Sequence, residues 1–141
     1  MGMKKPLLYL SAFIVLISVL FSGCQDTNSV KTQQLPGNVY LDSNIVEFAN
    51  ASFEQDTNKS GGVESVTVGW LFHNIAGRMI SGRIDVRFYD KNNVLVYNDT
   101  KYFNNIPADF TERLFQEANK VTYAGGNAGV IDHVVLVVTE R

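Results

Sequence analysis

The sequence predicts an all-β sandwich of about six to eight strands, and three observations carry that expectation. From Asn38 onward, apolar and polar residues alternate with a period of two, as half-buried strands require. Turn-forming clusters break the alternation at short intervals: DTNKSGG at 56–62, NIAG at 74–77, DKNN at 90–93, NNIPAD at 104–109 and AGGNAG at 124–129. Only FTERLFQEANK, 110–120, could form a short helix, and its Phe110, Leu114 and Phe115 fit either assignment.

The elements follow in chain order. Lys4 and Lys5 form a basic start without an acid, Leu7 to Phe21 is apolar apart from Ser11 and Ser18, and the small pair Ser22-Gly23 precedes Cys24. A basic region, an apolar region and small residues before a cut make a secretory signal peptide over 1–23. As a helix its apolar part spans roughly 22 Å, short of the roughly 30 Å hydrocarbon core of a bilayer. Residues 25–37, QDTNSVKTQQLPG, lack apolar periodicity and read with Cys24 as a flexible tether over 24–37. That stretch reaches at most roughly 45 Å extended, and roughly 20 Å as a coil.

The sandwich domain is expected over 38–141. Val66, Val68, Trp70 and Phe72 share one strand face against Thr67, Gly69, Leu71 and His73, and Trp70 is assigned to the core. Ile84, Val86 and Phe88 oppose Arg83, Asp85, Arg87 and Tyr89. VIDHVVLVVTE, 130–140, is apolar on both faces and β-branched, so it reads as a central strand covered on both sides.

Phe21-Ser22-Gly23-Cys24 resembles the lipobox of prokaryotic lipoproteins, in which an aliphatic residue, a small residue and Gly or Ala precede a Cys. Phe21 departs from the usual Leu at the first position. The resemblance implies that the signal is removed before Cys24, which becomes a diacylated N-terminus holding the protein to a membrane. Two acyl chains anchor stably where one holds marginally. It further implies the exported side of a membrane: the outer membrane, toward which Gln25 leans by similarity to known sorting, or the outer face of the cytoplasmic membrane in a one-membrane host.

GWLFHNIAGRMISGRIDVRFYDKNNVLVYNDTKYFNNIPADFTERL is similar to the FxLYD-type domain, a small immunoglobulin-like β-sandwich of secreted and lipid-anchored prokaryotic proteins. Asn74 matches the family's first Asn and Tyr89-Asp90 the end of its signature, while Val86 and Phe88 replace the name-giving Phe and Leu. Asn93 stands where the family has Gly, and Asn tolerates positive φ. The resemblance, over about 63–141, implies an immunoglobulin-like antiparallel sandwich serving as a surface or binding module; with no pair of core cysteines, it is expected without an inter-sheet disulfide.

Charge and motifs narrow the functions. After the signal is removed, ten basic residues face fourteen acidic ones, a net charge of −4 without basic clusters, which sets nucleic acid aside. Asp90 and Asn92 fit two positions of a calcium loop, but Val94, Leu95 and Val96 follow where a closing acid is needed, so Asp90 is read as capping a hairpin turn. YAGGNAG lacks the Lys-Ser/Thr of a phosphate cradle and leads into a strand. No nucleophile elbow is present, and an enzyme would need His73, His133 and Asp132 to converge. No cofactor or metal is implied.

Two binding readings stand. The first is a non-enzymatic envelope lipoprotein whose sandwich engages another envelope protein through a loop end or an edge strand. The alternative is a module for cell-surface carbohydrate, with Tyr97, Tyr102 and Phe103 as stacking platform. The sequons at Asn50, Asn58 and Asn98 are candidate N-glycosylation sites in a host that glycosylates exported proteins.

Overall fold

The computed structural model describes residues 31–35 and 37–141. Eight strands follow one another: β1 (Lys31–Leu35), β2 (Val39–Ser43), β3 (Val46–Thr57), β4 (Val63–Asn74), β5 (Ile80–Asp90), β6 (Leu95–Ile106), β7 (Lys120–Tyr123) and β8 (Ile131–Glu140), with short 3-10 turns at 117–119 and 128–130. They build two sheets, one of five strands ordered β1-β2-β8-β5-β6 and one of three ordered β3-β4-β7. The expected all-β sandwich results, immunoglobulin-like in its two packed layers and without an inter-sheet disulfide, since Cys24 has no second cysteine to meet.

Period-two alternation explains the packing. Val66, Val68, Trp70 and Phe72 of β4 point inward against Ile84, Val86 and Phe88 of β5 and Val134, Leu136 and Val138 of β8, and all are buried in one cluster. Burial of each such side chain contributes about 1.5–3 kcal/mol. Phe48 and Phe72 stack across β3 and β4 with centroids 6.1 Å apart. At Gly82 the β5 backbone leaves room for the Phe103 ring: a Cβ there would lie 2.5 Å from Phe103 Cζ and 2.6 Å from the Thr139 carbonyl oxygen.

One pairing departs from the antiparallel expectation. β2 runs parallel to β8, with Val39 opposite Val134 and Asp42 opposite Val137. The N-terminal end of the described chain is thereby locked to its last strand.

A second departure concerns the tether. Lys31–Leu35, inside the stretch read as tether, forms β1 and pairs antiparallel with β2 from Lys31↔Ser43 to Leu35↔Val39. An edge strand takes its order from backbone hydrogen bonds, so a polar composition does not prevent it. Gln33 adds a specific tie, its Oε1 accepting the Phe48 N–H at 2.8 Å where β3 bulges. Residues 1–30, with Cys24 and the signal, lie outside the described residues.

Two further expectations change. β8 is central but covered on one side only: Ile131, Val134, Leu136 and Val138 face the core, while His133, Val135 and Val137 are half-buried on the outer face. Neighbouring side chains of β2 and β5 shelter those valines laterally, as the register Tyr40↔Val135↔Arg87 requires. Residues 110–116 form no helix. Glu112 donates its N–H to Phe72 O and accepts the Phe72 N–H through Oε2, so the segment extends along β4 before β7 takes its place.

Strand directions define two ends. Lys31, Ser43, Asn74, Ile80, Ile106 and Glu140 lie at one, hereafter the entry end. The hairpins Asn58–Gly62 and Lys91–Val94 lie at the other, the far end.

Candidate functional site

Three-stranded and five-stranded sheets treat their outer faces differently. On the outer face of β4, Leu71 is buried and the Phe115 ring lies against Gly69, where a Cβ would come within 3.2 Å of it. The outer face of the five-stranded sheet carries no such cover among the described residues. Its register places Tyr40 and Asp42 of β2, His133, Val135 and Val137 of β8, Arg83, Asp85, Arg87 and Tyr89 of β5, and Asn98, Thr100 and Tyr102 of β6 on one surface.

This surface has a half-buried apolar centre, Val135 and Val137, and distinct borders. Toward the far end, the His133 ring stacks on Tyr89 at 5.3 Å and meets Tyr40 edge-on at 5.7 Å. His133 Nδ1 lies 3.0 Å from Asp132 Oδ2, which fixes the ring's orientation. Beside them a cleft of about 460 Å³ is lined by Tyr40, Asp42, Lys91 and Asn93, among others. Across β5, Asp85 sits between two arginines, its Oδ2 accepting from Arg83 Nη2 at 3.0 Å and lying 3.9 Å from Arg87 Nη2. Thr100 Oγ1 donates to Asp85 Oδ1 at 3.0 Å from the neighbouring strand. One carboxylate holding two guanidiniums in place leaves a preorganised, net positive strip beside the valines. Tyr102 closes the entry-end border, 55% exposed, with the Arg141 guanidinium 5.5 Å from its ring centroid. The surface thus combines an apolar centre, an aromatic border and fixed charges.

The structure divides the predicted stacking platform. Tyr97 and Phe103 face inward, Tyr97 stacked on Tyr123 at 4.8 Å and tilted against Phe88 at 5.6 Å, and only Tyr102 faces outward. The three do not share a face, because 97 and 103 are an even number of residues apart along β6 while 102 is out of phase with both. The histidines are likewise separated. His73, with Nδ1 2.8 Å from Thr111 Oγ1, lies on the outer face of the three-stranded sheet and His133 on that of the five-stranded sheet. Among the described residues no group of three or more His, Cys, Asp or Glu side chains is placed to hold a metal ion.

Asp90 takes the turn position expected of it. Its Oδ1 accepts the N–H groups of Asn92 at 2.8 Å and Val94 at 2.9 Å, and Asn93 adopts φ 60°. The Val94 hydrogen bond foremost, with those from Asn92 and the Lys91 charge, holds the Asp90 carboxyl below its ordinary range; partial desolvation opposes this without reversing it. The sequon residues Asn50, Asn58 and Asn98 are all exposed, with Asn58 Oδ1 engaged by the N–H groups of Ser60 and Gly62.

Sequence reasoning matched Asn74 to a family pattern but did not read its structural role. Asn74 is fully buried, and its Nδ2 donates toward the carbonyls of Arg78 at 2.8 Å, Ile106 at 3.0 Å and Pro107 at 2.8 Å, while Oδ1 accepts the Ala76 N–H at 2.9 Å. A polar residue at an inward strand position was the available signal.

No family model matches the chain, and neither a curated protein nor a solved structure matches it.

Proposed function

We propose that the protein is a non-enzymatic lipoprotein, held to a membrane by acyl chains on Cys24, whose sandwich engages another protein of the cell envelope. The observation that carries the interaction is the open outer face of the five-stranded sheet: Val135 and Val137 half-buried at its centre, with Asp85 holding Arg83 and Arg87 beside them. The Phe21-Ser22-Gly23-Cys24 motif after an apolar run supports the anchor. Separation of His73 from His133 on opposite outer faces favours binding over catalysis. The FxLYD-like reading is part of the proposal. Asn74 ends β4 and Tyr89-Asp90 ends β5 ahead of a tight hairpin, the order of features that such domains have.

The test combines a photo-crosslinking residue at Val135 with in-cell irradiation and acyl labelling. A defined envelope protein is captured at Val135 but not from Glu54, an exposed residue of β3 in the other sheet. Cys24→Ala removes the acyl label and the membrane fraction. Equal capture from both positions, or labelled lipid persisting in the Cys24→Ala chain, would overturn the assignment.

A further inference from the structure

We propose that the entry end of the sandwich rests on the lipid surface itself, with Ile75, Met79 and Phe110 entering the interfacial zone of the bilayer. This inference rests on the lipid anchoring proposed above.

The three side chains are 40%, 61% and 48% exposed. They surround Asn74. Its N–H donates to Phe110 O, Ile75 follows it in the chain and donates to Ile45 O, and Met79 follows Arg78, whose carbonyl the Asn74 amide binds. Large apolar side chains gathered at one end of a domain mark a surface that meets another phase.

Tether length chooses the occupant. Because β1 begins at Lys31, only residues 24–30 separate the proposed lipid from the folded domain. Seven residues reach at most about 25 Å. Lys31 opposes Ser43, so the chain leaves at the entry end, beside these side chains.

Exposed apolar residues occur at the far end too, Val94, Leu95 and Val130. They lie beyond β5 and β8, strands of 11 and 10 residues, hence roughly 30 Å from the entry end at about 3.3 Å per residue. Even the full reach of about 25 Å is shorter than that, so the proposed anchor holds the entry end, not the far end, toward the membrane. The mature net charge of −4 gives no general attraction to anionic lipid, and Glu140 already pairs with Arg78 beside Met79 at 2.6 Å. Apolar insertion, typically about 5–10 Å deep, is the interaction that remains.

The test uses the full lipidated protein in phosphatidylcholine vesicles. Met79→Cys carries an environment-sensitive fluorophore, and Asn58→Cys carries the same label at the far end. With the Cys24 sulfur acylated, the introduced thiol reacts alone. A nitroxide quencher borne by the lipid is expected to quench position 79 several-fold more than position 58, and aqueous iodide to show the opposite order. Phe110→Cys repeats the reading at a second entry-end position, and urea unfolding verifies that each labelled chain is folded.

Equal quenching at 79 and 58 overturns the orientation. So does a position-79 probe shielded from both quenchers, which marks a protein partner or a second copy. Acyl labelling of the same preparations separates the two ideas. Labelled, membrane-bound protein with a solvent-exposed position 79 refutes the orientation alone, whereas absence of label on Cys24 refutes the anchor and the orientation with it.

Discussion

Replacing Asn74 with alanine removes a clamp that joins three chain segments at the entry end. Four backbone groups lose their partner: the carbonyls of Arg78, Ile106 and Pro107 and the N–H of Ala76. Of these contacts, the one to Ile106 O is buried and the other three are partly buried. An unsatisfied buried group costs about 1–3 kcal/mol and a partly solvated one less, so the expected loss is about 3–5 kcal/mol. Against a domain stability of about 5–15 kcal/mol, that is a large fraction. At about 4 °C per kcal/mol for a domain of this size, Tm falls by roughly 12–20 °C. Urea unfolding followed by Trp70 fluorescence measures the change directly, because Trp70 is the chain's one tryptophan and is 1% exposed. The midpoint should fall with an unchanged slope. Asn104→Ala, at an exposed position, should stay within about 0.5 kcal/mol of the parent. A loss below about 1 kcal/mol for Asn74→Ala would mean that water replaces the amide, and the clamp argument would be wrong.

Two further predictions address the aromatic strand and the hairpin. Tyr97→Ala removes a ring packed on Phe88 and Tyr123 and should cost about 2–3 kcal/mol, whereas Tyr102→Ala should cost under about 1 kcal/mol; equal losses in urea unfolding would refute the two-face assignment of β6. The Asp90 carboxyl, held charged by the Val94 and Asn92 N–H groups, has a folded pKa below its unfolded one, so its contribution is present above the ordinary carboxylate range and is lost as pH falls through the folded value. An NMR titration of that carboxyl with its midpoint at or above the ordinary value would contradict the turn geometry.

Much of the sandwich was legible because burial imposes its period on the sequence. The inward row of β4 and the alternation of Arg83, Asp85, Arg87 and Tyr89 against Ile84, Val86 and Phe88 could be read directly, and so could the Asp90 turn. β1 could not, since Thr32, Gln33 and Gln34 carry no apolar stripe and the strand exists through backbone pairing with β2. β6 was obscured differently. Asp99 and Lys101 occupy inward positions on this edge strand, an arrangement that discourages edge-to-edge association and also erases the alternation that would have separated Tyr102 from Tyr97 and Phe103. The candidate surface was half visible. Its β5 row follows from periodicity, but the neighbours Tyr40 and Val135 are 95 residues apart, and no local pattern encodes that pairing.

The parallel pairing of β2 with β8 also orders events in time. β2 has only β1 and β8 as sheet neighbours, and β5 needs β8 on one side, so the five-stranded sheet cannot close until the ten residues of β8 are available. Long-range closure of this kind folds slowly, because loop entropy is lost before the contacts that offset it form. Until Ile131–Glu140 is in place, the five-stranded sheet lacks the strand that joins β2 to β5, and the inward rows of both stay open to water.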